Sequence, residues 1–350
     1  MGNMFQIITS NAFLSAIFST ISIILLGYLA RKRNIVGPEA GKVLSDVVLA
    51  FALPALAFSA FMQNINPETF TTGLTVFVFG FVAYVILIVL GESLYFRFKE
   101  DQKTTLSVLT TFGSTTFFGI PIINGFLGPL GALYANIFNI AYRVFLYSYG
   151  LVRMSGVQFE KKNFKQIFLN PIVVATFLGL LIWIFQNDMP QMTVTVPLYE
   201  GSKEMQDITV GILRIDKTLP WVYKPVDYLS KLASPLAWLA IGMTLGNISI
   251  GEALKDRVVW LYSGVKLIVV PAIFMVLMLV MKSVFSLDYE AFMSIIILLA
   301  TPPATVAVAY AIKYDKEAQL ASNASLLATV LSIVAIVFWI IVGAGLQAFF

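Results

Sequence analysis

The chain has 350 residues, 59% apolar and 12% charged. Soluble domains run nearer about 45–50% apolar and about 25% charged, so this sequence lacks the polar surface to coat a globule in water, and a soluble enzyme or nucleic-acid binder is excluded. The net charge is only +4, and histidine and cysteine are both absent, which removes disulfides, thiol nucleophiles, imidazole bases and zinc sites with N/S ligands. No cofactor or resident metal is expected.

A membrane-spanning helix needs about 20 mostly apolar residues. Ten stretches qualify in chain order: Ala12–Ala30, Val43–Met62, Phe70–Phe96, Thr104–Leu127, Leu130–Leu151, Ile167–Phe185, Val226–Leu245, Val258–Met281, Ala291–Ile312 and Ala318–Ala344. Alternating strand-sized segments are missing, which argues against a barrel. Nothing basic precedes span 1, and Arg31, Lys32 and Arg33 follow it. It therefore reads as an anchor rather than a cleaved leader. Connections after the odd-numbered spans hold 15 of the 23 Lys and Arg residues, and the opposite side holds five. By the positive-inside rule both termini are expected outside a cell membrane. The connection Gln186–Lys224 is the one sizeable extramembrane piece, and its Thr193–Val196 and Ile208–Ile215 segments suit a small outer hairpin.

Asp46 and Asp227, Pro54 and Pro235, Met62 and Met243, and Pro121 and Pro302 share one offset of 181 residues. With five spans per half, the second half enters the membrane inverted, a plan common among secondary transporters. The expected fold is an all-α polytopic membrane protein of ten transmembrane helices in two inverted five-helix repeats. Residues 1–153 form the first repeat, 154–165 a cytoplasmic linker, and 166–350 the second, with an outer loop at 187–224.

Spans 4 and 9 carry helix breakers. Span 4 contains Gly113, Ser114, Thr115, Gly119, Pro121 and Asn124, and span 9 contains Thr301, Pro302, Pro303 and Thr305. Proline lacks an N–H and clashes with the preceding turn. Broken backbone at membrane depth has to be buried in protein or line a polar cavity. If the interrupted helices cross, half-helix N-termini at Gly119–Pro121 and Thr301–Pro303 face one point and favour an anion there. On span 5, Asn136, Asn139 and Arg143 share one face. No carboxylate lies in the middle of any span, so the guanidinium calls for an anionic partner from outside the chain or for freed backbone carbonyls. Lys266 in span 8 can snorkel towards the cytoplasm. Asp227 and Lys231 at i, i+4 pair with each other. Gly242 and Gly246 fit a small-residue helix contact and point weakly to a dimer seam.

Phe51-Ala-Leu-Pro54-Ala-Leu-Ala-Phe58, Asn64-Ile-Asn66-Pro67, Gly119-Ile-Pro121-Ile-Ile-Asn124-Gly125-Phe-Leu-Gly128, and Pro302-Pro303-Ala304 with Tyr314 resemble the auxin efflux carrier family over nearly the whole chain. Bacterial members look like permeases for malate and other small organic acids. The resemblance implies a scaffold and homodimer interface from helices 1, 2, 6 and 7, and a moving transport domain from helices 3–5 and 8–10. It places the crossover prolines at Pro121 and Pro302 and the polar substrate position at Ser114, where many members have Asn. Arg143 and the long loop also depart from the family pattern.

The expected function is carriage of small mono- or dicarboxylates by elevator-like alternating access, as uniport or exchange, and not an enzyme activity. The candidate substrate residues are Ser114, Thr115, Gly119, Pro121, Asn124, Asn136, Asn139, Arg143, Thr301, Pro302, Pro303 and Thr305. The rival is a Na⁺- or H⁺-coupled symporter of another anionic or amphipathic substrate. An intramembrane enzyme lacks histidine and paired membrane aspartates, and a primary pump lacks a phosphate-binding glycine loop.

Overall fold

A backbone in lipid must satisfy its own hydrogen bonds, and apolar helices do so within one segment. The computed structural model describes residues 11–156, 169, 171–197, 204–247, 251, 253–281 and 287–350. These residues are mostly helical. The helices are α1 (Asn11–Lys32), α2 (Ala40–Ser59), α3 (Pro67–Leu94), α4 (Glu100–Thr111), α5 (Thr115–Ser155), α6 (Pro171–Phe185), α7 (Pro220–Gly246), α8 (Arg257–Met281), α9 (Tyr289–Leu299), α10 (Thr305–Lys313) and α11 (Ala318–Leu346). Among the described residues α2, α3, α5, α8 and α11 are long and apolar enough to cross a membrane by themselves, and α6 and α9 are shorter apolar helices. Most of the expected cytoplasmic linker lies outside the described residues.

Three prolines sit inside continuous helices by one shared device. The wider π turns Val48–Ala52, Thr115–Gly119 and Val265–Val269 each end two residues before Pro54, Pro121 and Pro271. A π turn shifts the hydrogen-bonding register, which accommodates the missing N–H and the ring clash without breaking the rod. Pro271 withholds an N–H from the Leu267 carbonyl, and the Trp339 indole donates to that oxygen at 2.8 Å. Gly128 behaves differently. Its φ of 68° and ψ of −159° suit glycine alone, and with Pro129 it bends α5 sharply between limbs 115–127 and 129–155. This bend falls where spans 4 and 5 were expected to separate.

The helices pack as two groups. In one, α7 lies along α1 and α2, and α6 lies on α2; in the other, α3 holds α4 and α5, α9 packs on α5, and α8 and α10 pack on α11. Close approach of α1 and α7 requires glycine: a Cβ on Gly242 would stand 2.8 Å from the Tyr28 backbone nitrogen, and one on Gly246 would stand 2.7 Å from Arg31 Cβ. The Gly242–Gly246 stripe is therefore filled by the protein's own first helix, which corrects the expectation of a dimer seam there.

Strands β1 (Gln191–Pro197) and β2 (Met205–Gly211) form an antiparallel hairpin with Val194 opposite Ile208. Arg214 anchors its base. This buried guanidinium pairs with Asp216 at 2.8 Å and donates to Asn64 Oδ1 and Gln186 Oε1, each at 2.9 Å. The hairpin is thus clamped to the ends of α2 and α6. Asp227 pairs with Lys231 as expected from their spacing, and with Lys224 as well.

Candidate functional site at the crossing of two interrupted helices

The chain leaves helical geometry between α4 and α5 and again between α9 and α10. The two extended segments meet. Gly113 and Pro303 form an isolated antiparallel bridge, with Ser114 N donating to Pro302 O at 2.6 Å and Ala304 N to Phe112 O at 2.8 Å. Two short pieces of unwound backbone thereby satisfy each other inside the protein, as lipid demands. A Cβ on Gly113 would collide with Thr301 Oγ1 and stand 3.2 Å from Lys266 Nζ, so only glycine allows this approach.

The interruption in α4–α5 lies at residues 112–114, not at Gly119–Pro121. The π turn explains the difference, because it carries the helix through Pro121 unbroken. Pro121 and Pro302, which share the sequence offset, therefore occupy unlike places: Pro302 is in the unwound segment and Pro121 is inside α5. The half-helices that leave the crossing begin at Thr115 and Thr305. Their first N–H groups have no partner one turn back and carry partial positive charge.

The end of α4 that arrives at the crossing is capped from α8. Tyr262 Oη donates to Leu109 O at 3.1 Å, and Lys266 Nζ donates to Thr110 O at 2.9 Å. Lys266 is 1% exposed. The snorkelling expectation is overturned. A cation placed at the carbonyl end of a helix gains from the dipole there and fills an orphaned acceptor.

Two cavities flank the crossing, both in the seam between the helix groups. The first, about 80 Å³, is lined by Ser114, Thr116, Phe117, Tyr142, Arg143, Tyr147, Ala304, Thr305 and Val306, with Leu49 of α2 and Ile172 of α6. It touches both half-helix N-termini and a guanidinium. Arg143 donates from Nη1 to Thr176 Oγ1 at 3.3 Å, while Nη2 has no partner. Among the described residues no acidic side chain pairs with it. The second cavity, about 250 Å³, shares Ser114, Phe117 and Thr305 and adds Pro302 and Pro303. Hydroxyls of Ser45, Thr244, Ser322, Ser325 and Thr329 stand among its apolar walls.

Of the expected residues, Ser114, Arg143, Pro302, Pro303 and Thr305 line one or both cavities. The others do not. Thr115 is buried as the first residue of α5, and Gly119 packs against Leu298 and Thr301. Thr301 Oγ1 donates to Leu298 O at 2.7 Å, and Pro121 O accepts from Ser234 Oγ at 3.0 Å. Asn124 is half-buried on the far side of the π turn from the crossing. Asn136 donates to Ala132 O at 2.8 Å, and Asn139 is fully buried with both side-chain polar atoms unpartnered. Sequence reasoning passed over Thr116, Phe117, Tyr142, Tyr147 and the α11 hydroxyls. The spacing of Ser322, Ser325 and Thr329, at i, i+3 and i+7 in an apolar helix, was the available signal.

Comparison with known proteins first gives the class. The chain is 21% identical over 254 residues to a protein of Methanocaldococcus jannaschii described as an uncharacterized transporter, covering 71% of this chain and 72% of that one. It is 23% identical over 334 residues to another uncharacterized transporter, from Methanothermobacter thermautotrophicus, covering 93% and 97%. This is a multi-pass membrane transporter and not an enzyme. The profile of the membrane transport protein family matches residues 12–163 and 157–340, so the chain belongs to that family, the auxin efflux carriers.

Proposed function

We propose that the protein is a secondary carrier of small organic anions, malate or a related mono- or dicarboxylate, bound at the crossing. The observation that carries this reading is the convergence of Arg143 and both half-helix N-termini on one cavity, with no acidic partner for Arg143 among the described residues. Guanidinium suits a carboxylate bidentately. Oriented N–H groups add to the same charge preference.

Ten spans in two inverted repeats frame the site in a cell membrane, with the termini outside. In support, α3 and α8, and likewise the half-helices α5 and α10, begin at equal sequence separations, Pro67 to Arg257 and Thr115 to Thr305. Helices α1, α2, α6 and α7 serve as scaffold and homodimer platform. The group of α3–α5 and α8–α11 moves against it as an elevator and exposes the seam alternately. Both cavities are walled by residues of the two groups, as such motion requires.

The test is uptake by proteoliposomes of labelled malate, succinate, lactate, acetate and indole-3-acetate, with and without Na⁺ and a pH gradient. Saturable, Na⁺-independent uptake of at least one acid, lost in Arg143→Ala, is expected. Full uptake and affinity in Arg143→Ala would remove the assigned site. Strict dependence on Na⁺ would favour a coupled symporter.

A further inference from the structure

Arg143 rides on one helix group and is held by the other. Its guanidinium donates to Thr176 Oγ1, and Thr176 is on α6. That hydroxyl spends its own hydrogen on Ile172 O at 2.6 Å, so it offers Arg143 a lone pair and nothing more. Arg143 is 5% exposed, and Nη2 is unpartnered. The tyrosines beside it in the cavity, Tyr142 and Tyr147, bring no charge. The site therefore carries a fixed positive charge, half-satisfied by a neutral oxygen across the seam.

Sliding the two groups past each other strips Arg143 of Thr176. Without a ligand, the guanidinium then keeps only neutral cavity neighbours such as Ser114, Thr116, Tyr142 and Tyr147 and no opposing charge, the costly case of a buried uncompensated charge. A bound carboxylate changes this. It supplies charge-assisted acceptors to both guanidinium nitrogens and travels with them. A ligand shifts a conformational equilibrium only by its differential affinity for the states. Here the differential falls on the intermediate, where a carboxylate replaces an acceptor that the empty carrier loses.

We propose that Arg143 makes this protein an obligate anion exchanger: the loaded carrier crosses between its two states, and the empty carrier does not return. This rests on the organic-anion carrier reading above and narrows its coupling from uniport or exchange to exchange.

The test uses purified protein in liposomes preloaded with labelled malate, and with labelled lactate in a parallel set. Efflux is followed into buffer with or without the same unlabelled acid outside. A K⁺/valinomycin potential set inside-negative favours net anion exit, so charge build-up does not mask it. Efflux with external acid is expected to exceed efflux without it by 10-fold or more. Arg143→Gln, which removes the charge, is expected to bring that ratio towards one, and Arg143→Lys, which keeps it, to leave the ratio high. Equal wild-type efflux with and without external acid overturns the exchange proposal and leaves the carrier reading standing. If Arg143→Gln is too slow to follow, the wild-type pair of measurements still decides. Absence of protein-dependent movement of either acid in every arm, and of every acid in the uptake panel, instead removes the carrier reading.

Discussion

The crossing depends on a glycine, and Gly113→Ala puts a number on it. The added Cβ would overlap Thr301 Oγ1 and stand 3.5 Å from the Leu298 carbonyl oxygen. Two escapes exist. Thr301 can rotate and give up its 2.7 Å bond to Leu298 O in a fully buried site, a net loss of about 0.5–1.5 kcal/mol. Alternatively, the segments can move apart, which stretches the Ser114–Pro302 and Ala304–Phe112 bonds. Overpacking of this kind costs about 1–3 kcal/mol. Whichever escape is taken, the loss lies between about 0.5 and 3 kcal/mol. Gly264 is the control: a Cβ there meets nothing within 4 Å, so alanine within α8 is expected to stabilise by about 0.5–1 kcal/mol. The assay is the thermal midpoint of purified protein in detergent, read by tryptophan fluorescence and monodispersity. Adding Thr301→Ala removes the colliding oxygen and is expected to recover more than half of the loss. A Gly113→Ala protein as stable as Gly264→Ala, with no rescue by the second change, refutes the crossing geometry.

Three further outcomes follow from other contacts. Trp339→Phe orphans the Leu267 carbonyl and is expected to cost about 1–3 kcal/mol. In a Pro271→Ala background the restored helix N–H takes that carbonyl, so the same change should cost clearly less in a double-mutant cycle. Gly242→Ala drives a methyl into the α1 backbone beside Tyr28 and should cost about 1–3 kcal/mol in thermal unfolding, whereas Gly251→Ala, with open space around it, should be silent. Asp288 caps α9 through Ala291 N and accepts from Tyr134 Oη at 2.7 Å; burial pushes its carboxyl above the ordinary range, opposed by these two bonds and aided by Glu68. A carboxyl raised in the folded state binds its proton more tightly folded than unfolded. Its contribution is present at acid pH and falls as pH climbs from the unfolded value of about 3.9 through the raised folded one. Asp288→Asn, which keeps a capping oxygen, is expected to flatten that part of the pH–stability curve. An unchanged curve would show that Asp288 is not its source.

Much of this architecture was legible because membranes impose simple rules. Length and apolarity located most of the helices, and the breakers marked spans 4 and 9 as the interrupted ones, although the first interruption lies at residues 112–114 rather than at Gly119–Pro121. Arg143 stood out as a charge without a partner, and it does face the crossing. What sequence could not supply was the local answer to each proline. Pro121 and Pro302 look alike in one dimension, yet a π turn absorbs the first while Pro302 lies in unwound chain. That choice turns on what neighbouring backbone offers in exchange, here the Gly113–Pro303 bridge. Asn136 and Asn139 share a helix face with Arg143, but face is not depth, and both are buried away from the cavities. Lys266 misled for a related reason: a long side chain reaches towards water or towards an orphaned carbonyl, and only packing decides which. The Gly242–Gly246 stripe declared a close helix contact without naming its partner, which is α1.

The most direct measurement is the affinity of the purified protein for a carboxylate, with and without the guanidinium. Isothermal titration of malate, and of lactate and acetate beside it, should give saturable binding by at least one acid to the wild-type protein. Charge-assisted hydrogen bonds of about 1.5–3 kcal/mol imply that Arg143→Gln weakens it by about 10–150-fold. Equal affinity in the two proteins would contradict a carboxylate held by Arg143 at the crossing.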